Sequence, residues 1–457
     1  MAHRSRARAG VSFLIGFLAG AALPVTATPH PERNLTAAKM GIPIGTHATS
    51  ADGTLTLTLR ARFQLYQDKP KNPNDYYDAD VHSPKSAKFL PAGERVYVNA
   101  LEGYATLVYD PIRLEKISKI IHRFDGKNQH LFSSQPPFDY QFRVLPATAR
   151  VNHFGGKPVE MELTHGGRYL WISYYRRHYD NNALGPSAVA VIDTSTDRIV
   201  KVLPSGPIPK ILAASPDGQW LAMIHWGDNT VGFVDISASA PEDFDLSHLV
   251  VVQKRFQPKT SKNRGKIDRD KECGLCLRGA VFTPDSTHLI VAALGGGGIA
   301  VINVTERRTV GLVKGIKPTP RHLILELPKE PRPPEWLYVS SNRSGYVSKV
   351  KIDKLLAAAY KKENKSVKPA YETYIGGGVR TIALSPDGRW LYAAVNWESR
   401  LVALRAADLT KVAEVPVDSF PVGLAVSPDG SQVWVTSQGR QRRGGHSVSV
   451  YGVEVNE

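Results

Sequence analysis

The sequence predicts an all-β protein: a seven-bladed β-propeller of four-stranded blades whose last blade is closed by an N-terminal strand. Three observations carry this. The stretch Gly376–Leu404, GGGVRTIALSPDGRWLYAAVNWESRLVAL, reads as three short apolar strands joined by tight turns. In its first turn Pro386 presets φ and Gly388 takes the position that side chains resist. The same unit recurs along the chain, seven times in all. Finally, the seventh copy stops after three strands, while an unclaimed alternating segment, Thr54–Leu65, precedes the first copy. A small sheet cannot bury both faces alone, so the copies must stack, and radial stacking protects edges that an open sheet would expose.

The copies follow in order. The first is Pro84–Asp110, the second Pro158–Asp193 and the third Pro207–Asp235. The fourth, Cys273–Asn303, opens on Cys-Gly-Leu-Cys, and the fifth, Pro318–Asp353, carries a Pro-rich insertion at its first turn. Gly376–Leu404 is the sixth and Phe420–Val450 the seventh. A fourth short strand lies between copies, as in Asp197–Leu203 and Thr410–Val417. Two segments exceed what a blade connection needs: residues 111–150, with Gln135-Pro136-Pro137-Phe138, and residues 237–272. Within the second, Lys254–Lys271 has eight Lys or Arg against two Asp. Asp353–Lys362 has helix-forming composition and predicts one surface helix.

At 457 residues with 42% apolar content, the chain can build one large domain over residues 51–457. Residues 1–27 have a basic start, an apolar run Val11–Val25 and a small-residue site ending at Ala27, the pattern of a cleaved secretory signal. An uncleaved anchor is the alternative, although the run is short for a full span. Residues 28–50, rich in Pro, Thr and Ala, read as a linker. Cleavage removes Arg4, Arg6 and Arg8 and no acid, so the formal charge goes from +16 to +13. Expected from this are a periplasmic or extracellular location, a monomer with no integral membrane domain after cleavage, and an anionic ligand or macromolecule as partner.

These residues resemble the YVTN-type β-propeller repeat family of exported and surface proteins. The resemblance rests on SPDG, an apolar strand, an Asn-containing turn and V-x-V-[IV]-D, and covers roughly residues 84–453. It implies the fold, and a binding scaffold with sites on the face that carries the loops leading into the inner strands.

Reading back six positions from the Pro of SPDG, or its equivalent, gives Lys85, Val159, Lys210, Arg278, His322 with Arg321 beside it, Arg380 and Val422. A position that only packs favours small or apolar residues, and a cationic ring repels itself unless something negative offsets it. The loops between second and third strands add His225, Trp226, Asn396 and Trp397 as stacking and hydrogen-bonding groups. Lys85, Lys210, Arg278, Arg321, His322 and Arg380 are thus the expected central contacts to an acidic polymer, a nucleic acid or an acidic protein. The alternative is a lactonase or lactonising enzyme acting on a small carboxylate, since such propellers look similar in blade pattern; no catalytic residue can be picked out. Cys273 and Cys276 predict a local disulfide, with a redox-active pair or free or metal-bound thiols as alternatives. Leu277 stands where haem attachment requires His, and no spacing supports a metal site, so no metal and no cofactor are expected.

Overall fold

The computed structural model describes residues 41–143, 145, 150–257, 267–328, 332–439 and 445–456. The signal segment 1–27, the linker to residue 40, residues 258–266 of the basic excursion, residues 329–331 of the Pro-rich insertion and Arg440, Arg442 and Arg443 lie outside them.

Short strands, the middle ones buried on both faces as in Trp390–Val395, build seven sheets of antiparallel blades. The inner strands are Pro84–Phe89, Phe154–Thr164, Pro209–Ala214, Leu277–Phe282, Pro320–Leu325, Val379–Leu384 and Pro421–Val426. Each is followed outward by its hairpin partners, so the fold is the expected seven-bladed propeller. The last blade borrows its outer strand from the N-terminus: Leu55–Gln64 pairs along Ser447–Val455, from Leu55 with Val455 to Gln64 with Ser447.

Both long segments contribute outer strands before they depart. Glu115–Ile121 completes the first blade, and Asp245–Val251 completes the third. Arg123–Phe124 then adds a fifth strand to the second blade. The stretch expected as linker holds a strand of its own, His47–Thr49, paired to the N-terminal closing strand. The surface helix falls at Ile352–Tyr360 and buries Leu355, Ala358 and Ala359 against the neighbouring blades.

Packing lies between blades rather than within them. Ile224 and Phe233 of the third blade share a core with Phe282, Val291 and Ile302 of the fourth, and similar clusters repeat around the ring. The SPDG turns are the rivets of these sheets. In the third blade the Ser215 hydroxyl accepts from Trp220 N at 2.8 Å and Asp217 accepts from Gln219 N at 3.0 Å. Gly218 takes φ +74 between them, a conformation that costs glycine nothing.

Candidate functional site

Every inner strand carries a one-residue bulge near its start. In the third blade, for example, Pro209 pairs with His225 and Ile211 with Ile224, which leaves Lys210 unpaired. A bulge turns its extra residue out of the ladder and re-aims the side chain. The residue following the last pair before this bulge is Lys85, Val159, Lys210, Arg278, Arg321, Arg380 or Val422, blade by blade; in blade two a second shift, between Pro158 and Gly156, comes before it. Blade five therefore contributes Arg321 at the repeat position. His322 returns to the ladder opposite Ser340.

The bulge also frees a carbonyl, which the neighbouring blade satisfies. Ser86 donates to Val159 O at 2.8 Å, Ser340 to Arg380 O at 2.7 Å, Thr381 to Val422 O at 2.8 Å and Thr436 to Lys85 O at 2.7 Å. These bonds, from inner strands at Ser86 and Thr381 and from second strands at Ser340 and Thr436, stitch neighbouring blades together at the level of the cations. The last of them joins blade seven to blade one.

Five cations converge at this level of the channel. Burial pushes the Lys85 amine well below its ordinary range, and repulsion from Arg380, Arg278 and Lys210 pushes it further. Arg321 is lowered in the same way, by burial and then by Arg380 and Arg278. Among the described residues, carboxylates pair with two of them. Glu160, the neighbour of Val159 on the second inner strand, holds Arg278 at 2.6 Å. Asp270, from the long segment ahead of blade four, holds Lys210 at 2.9 Å. Among the described residues, neither Lys85 nor Arg321 has an acidic partner within ion-pair distance. Arg380 lies 5.7 Å from the Phe420 ring centre.

Lys210 sits in an aromatic cage, its amine 4.3 Å from the Tyr175 ring centre and 4.7 Å from that of Trp226. Burial lowers its pKa to about 8, with the charge partly restored by Asp270. Trp226 also donates from its indole to Asp270 O at 3.1 Å, so it braces both members of the pair. For Asp270, burial acts to raise the pKa but Lys210 outweighs it and holds the carboxyl far below the usual range. The Cys273–Cys276 disulfide lies between Asp270 and Arg278 in sequence, closing the turn that delivers both.

Below the cations the channel widens into a cavity of about 490 Å³ lined by all seven inner strands. His322 faces it, accepting weakly from Ile382 N at 3.4 Å, and burial lowers its pKa to about 4, so the ring is neutral at pH 7. Farther along, Lys88 and Glu162 pair at 3.0 Å.

The sequence expectation needs one correction. His225 is not at the mouth: it is fully buried, accepts from Gly206 N at 3.0 Å and bonds the Thr230 hydroxyl at 2.8 Å. It ends the second strand on the face turned between blades, packed near Phe138 and Tyr140, so the fold consumes its polar atoms. Asn396 is also buried, while Trp397 is 38% exposed. Both close over the glycines ahead of Arg380; a Cβ at Gly378 would stand 2.2 Å from the Asn396 side-chain oxygen. The sequence reading missed Glu160 and Asp270. Glu160 follows an aligned Val by one residue, and Asp270 was hidden in a segment read as basic. Among the described residues, no group of three or more His, Cys, Asp or Glu is placed to hold a metal.

Fold and site together define a seven-bladed propeller with a recessed, cation-rich channel mouth. The chain belongs to the lactonase family of seven-bladed β-propellers: the family model described as "Lactonase, 7-bladed beta-propeller" matches residues 193–454, more than half of the chain. Among solved structures it is similar to the hydrazine synthase of Kuenenia stuttgartiensis, at 14% identity and TM-score 0.51, over 85% of this chain and 100% of that one. It is similar also to the Cps50 (Swd1) β-propeller domain of Myceliophteria thermophila, at 11% identity and TM-score 0.52, over 81% and 96% of the two chains. A chain of a mitotic checkpoint complex, at 10% identity and TM-score 0.55, matches over 97% and 99%. At such identities these likenesses show the fold alone. No curated protein matches.

Proposed function

We propose that this propeller binds a small organic anion, one bearing a carboxylate, at the channel mouth. The observation that carries this is the charge imbalance. Lys85, Lys210, Arg278 and Arg321 come together from four blades; Glu160 holds Arg278 and Asp270 holds Lys210, while Lys85 and Arg321 have no acid within ion-pair distance among the described residues. Such repulsion costs stability unless an anion offsets it. The size class follows from recession: the Lys210 side chain is 14% exposed and that of Arg278 7%. A polymer backbone needs cations on an exposed rim, whereas a small acid can enter the mouth. Arg321 and Lys85 are the principal binding groups in this reading, and His322 and the cavity beneath receive the rest of the molecule.

The lactonase family match favours a second reading, that the same site hydrolyses a lactone. Lys85 and Arg321 would then stabilise the developing oxyanion and neutral His322 would carry the proton. Calorimetric titration with short mono- and dicarboxylates, beside a lactone hydrolysis panel, tests both. Binding should weaken as salt rises and fall at least tenfold in Arg321→Gln. Turnover lost in His322→Ala would add catalysis. Salt-independent binding, or binding untouched by Arg321→Gln, would refute the anion site.

We also read the chain as an exported, monomeric protein of the YVTN repeat type, on its N-terminal pattern and its blade motifs. Terminal sequencing of protein recovered from the exporting cell should begin at Thr28. No helix among the described residues is long and apolar enough to cross a membrane.

A further inference from the structure

A second cavity, of about 130 Å³, lies away from the channel, where the long segments after blades one and three meet over blades two and three. Among the described residues its charged groups are three arginines and two aspartates: Arg143, Arg255, Arg269, Asp139 and Asp228. Both aspartates are already engaged by Arg255, which bonds Asp139 and lies 3.3 Å from Asp228 while stacking 4.4 Å over the Tyr140 ring. Asp228 also accepts from the Tyr140 hydroxyl at 2.7 Å and from that of Thr230 at 2.6 Å. Its Oδ2 thus accepts from Tyr140 and Arg255, and its Oδ1 from Thr230.

Arg269 is the group left over. It is 6% exposed, and only its Nη1 is engaged, donating to Gly227 O at 3.0 Å. Its Nε is buried without an acceptor among the described residues, whereas its Nη2, with no hydrogen bond to them, is not sealed off. Burial, with Arg143 nearby, works against its charge, and Asp228 supports it only from a distance. A guanidinium so deeply buried is normally paired, because an uncompensated charge out of water is costly. Nε–H and Nη2–H form the parallel donor fork that matches the two oxygens of a carboxylate.

We propose that this cavity is a second ligand site, which takes a single carboxylate group of a small organic acid on the Nε and Nη2 donors of Arg269, with Arg143 at its rim. The charge count among the described residues fits a monoanion: three guanidinium groups against two carboxylates leave one positive charge. The volume admits a short acid. Arg269 and Asp270 are adjacent, so one segment delivers a cation to this cavity and an anion to Lys210 at the channel mouth.

The test is calorimetric titration of the full chain with sodium propionate and, separately, inorganic phosphate at low ionic strength. The proteins are wild type, Arg269→Gln, Arg143→Gln and Arg321→Gln. Wild type and Arg321→Gln should share a propionate site that weakens at least tenfold in Arg269→Gln and several-fold in Arg143→Gln. Arg321 belongs to the channel mouth, so its variant separates this site from that one. No such propionate site in the wild type, or wild-type binding in both folded variants, overturns the proposal. Phosphate binding more tightly than propionate in an Arg269-dependent way overturns the carboxylate assignment. Arg143 is exposed, so Arg143→Gln decides the matter if Arg269→Gln does not fold.

Discussion

Ring closure can be tested at one buried side chain. Arg62 lies on the N-terminal strand that completes the last blade and is 3% exposed. Its fork bonds Asp75, its Nη1 donates to Ile42 O at 2.7 Å, and the same nitrogen reaches Asp418 at 3.2 Å. Asp418, also 3% exposed, further accepts from the Ser447 hydroxyl at 2.6 Å and from Ile42 N at 3.0 Å. One arginine therefore ties the N-terminal strand to the segment that leads into the seventh inner strand. Arg62→Met keeps the length of the side chain and removes the charge, leaving two buried carboxylates without their cation. Breaking a buried pair from one side costs about 3–5 kcal/mol. With an unfolding entropy of roughly 2.1 cal/mol/K per residue over about 400 residues, that lowers Tm by about 4–6 °C. Thermal melts followed by circular dichroism read this directly. Adding Asp418→Asn should recover part of the loss, since it removes one of the stranded charges, with a coupling of about 0.5–3 kcal/mol. A Tm within about 1 °C of wild type, or strict additivity of the two changes, would show that this cluster does not hold the ring shut.

Three other outcomes are expected. Burial pushes His122 and His225 to about 3 in the fold, from an ordinary 6.5. The unfolded chain binds the extra protons, so their contribution is complete above pH 6.5 and is lost as pH falls toward 3, by up to about 1.4 kcal/mol per pH unit for each ring; a flat Tm between pH 6.5 and 4.5 contradicts this. At the channel mouth Lys210 loses its proton near pH 8, so carboxylate affinity should fall severalfold above that pH, and Lys210→Arg should remove that limb of the titration profile. A Cβ at Gly423 would stand 2.1 Å from Lys85 O and 2.9 Å from the Thr436 hydroxyl, so Gly423→Ala should cost about 1–3 kcal/mol in urea unfolding by opening the seam between blades seven and one; an unchanged midpoint argues against that contact.

The blade count, the closing strand and the helix at Ile352–Tyr360 were legible because each follows from local rules: strand alternation, SPDG turn chemistry and helix-forming composition. The cations were legible because repetition puts them at one register. The alignment slipped to His322 in blade five, where no SPDG anchors it. A second signal was present, since in five of the seven inner strands the bulge residue follows a Pro: Pro84, Pro158, Pro209, Pro320 and Pro421. His225 was misplaced because a residue ending a second strand can face the loop surface or the next blade, and pattern alone does not distinguish them.

What the sequence by itself determined is therefore whatever repeats: seven sheets, their order, and a basic residue near the start of five inner strands. Only the tertiary structure decided which charges meet. Glu160 reaches Arg278 across 118 positions of chain, Asp270 reaches Lys210 across 60, and Asp418 reaches Arg62 across 356. Those pairings depend on closing the ring and on where the long segments fold back, and Coulomb attraction and burial act on distance in space, not on separation along the chain. The same holds for Arg269, an ordinary member of a basic run in sequence, which the fold alone buries beside a cavity with its donor fork unfilled.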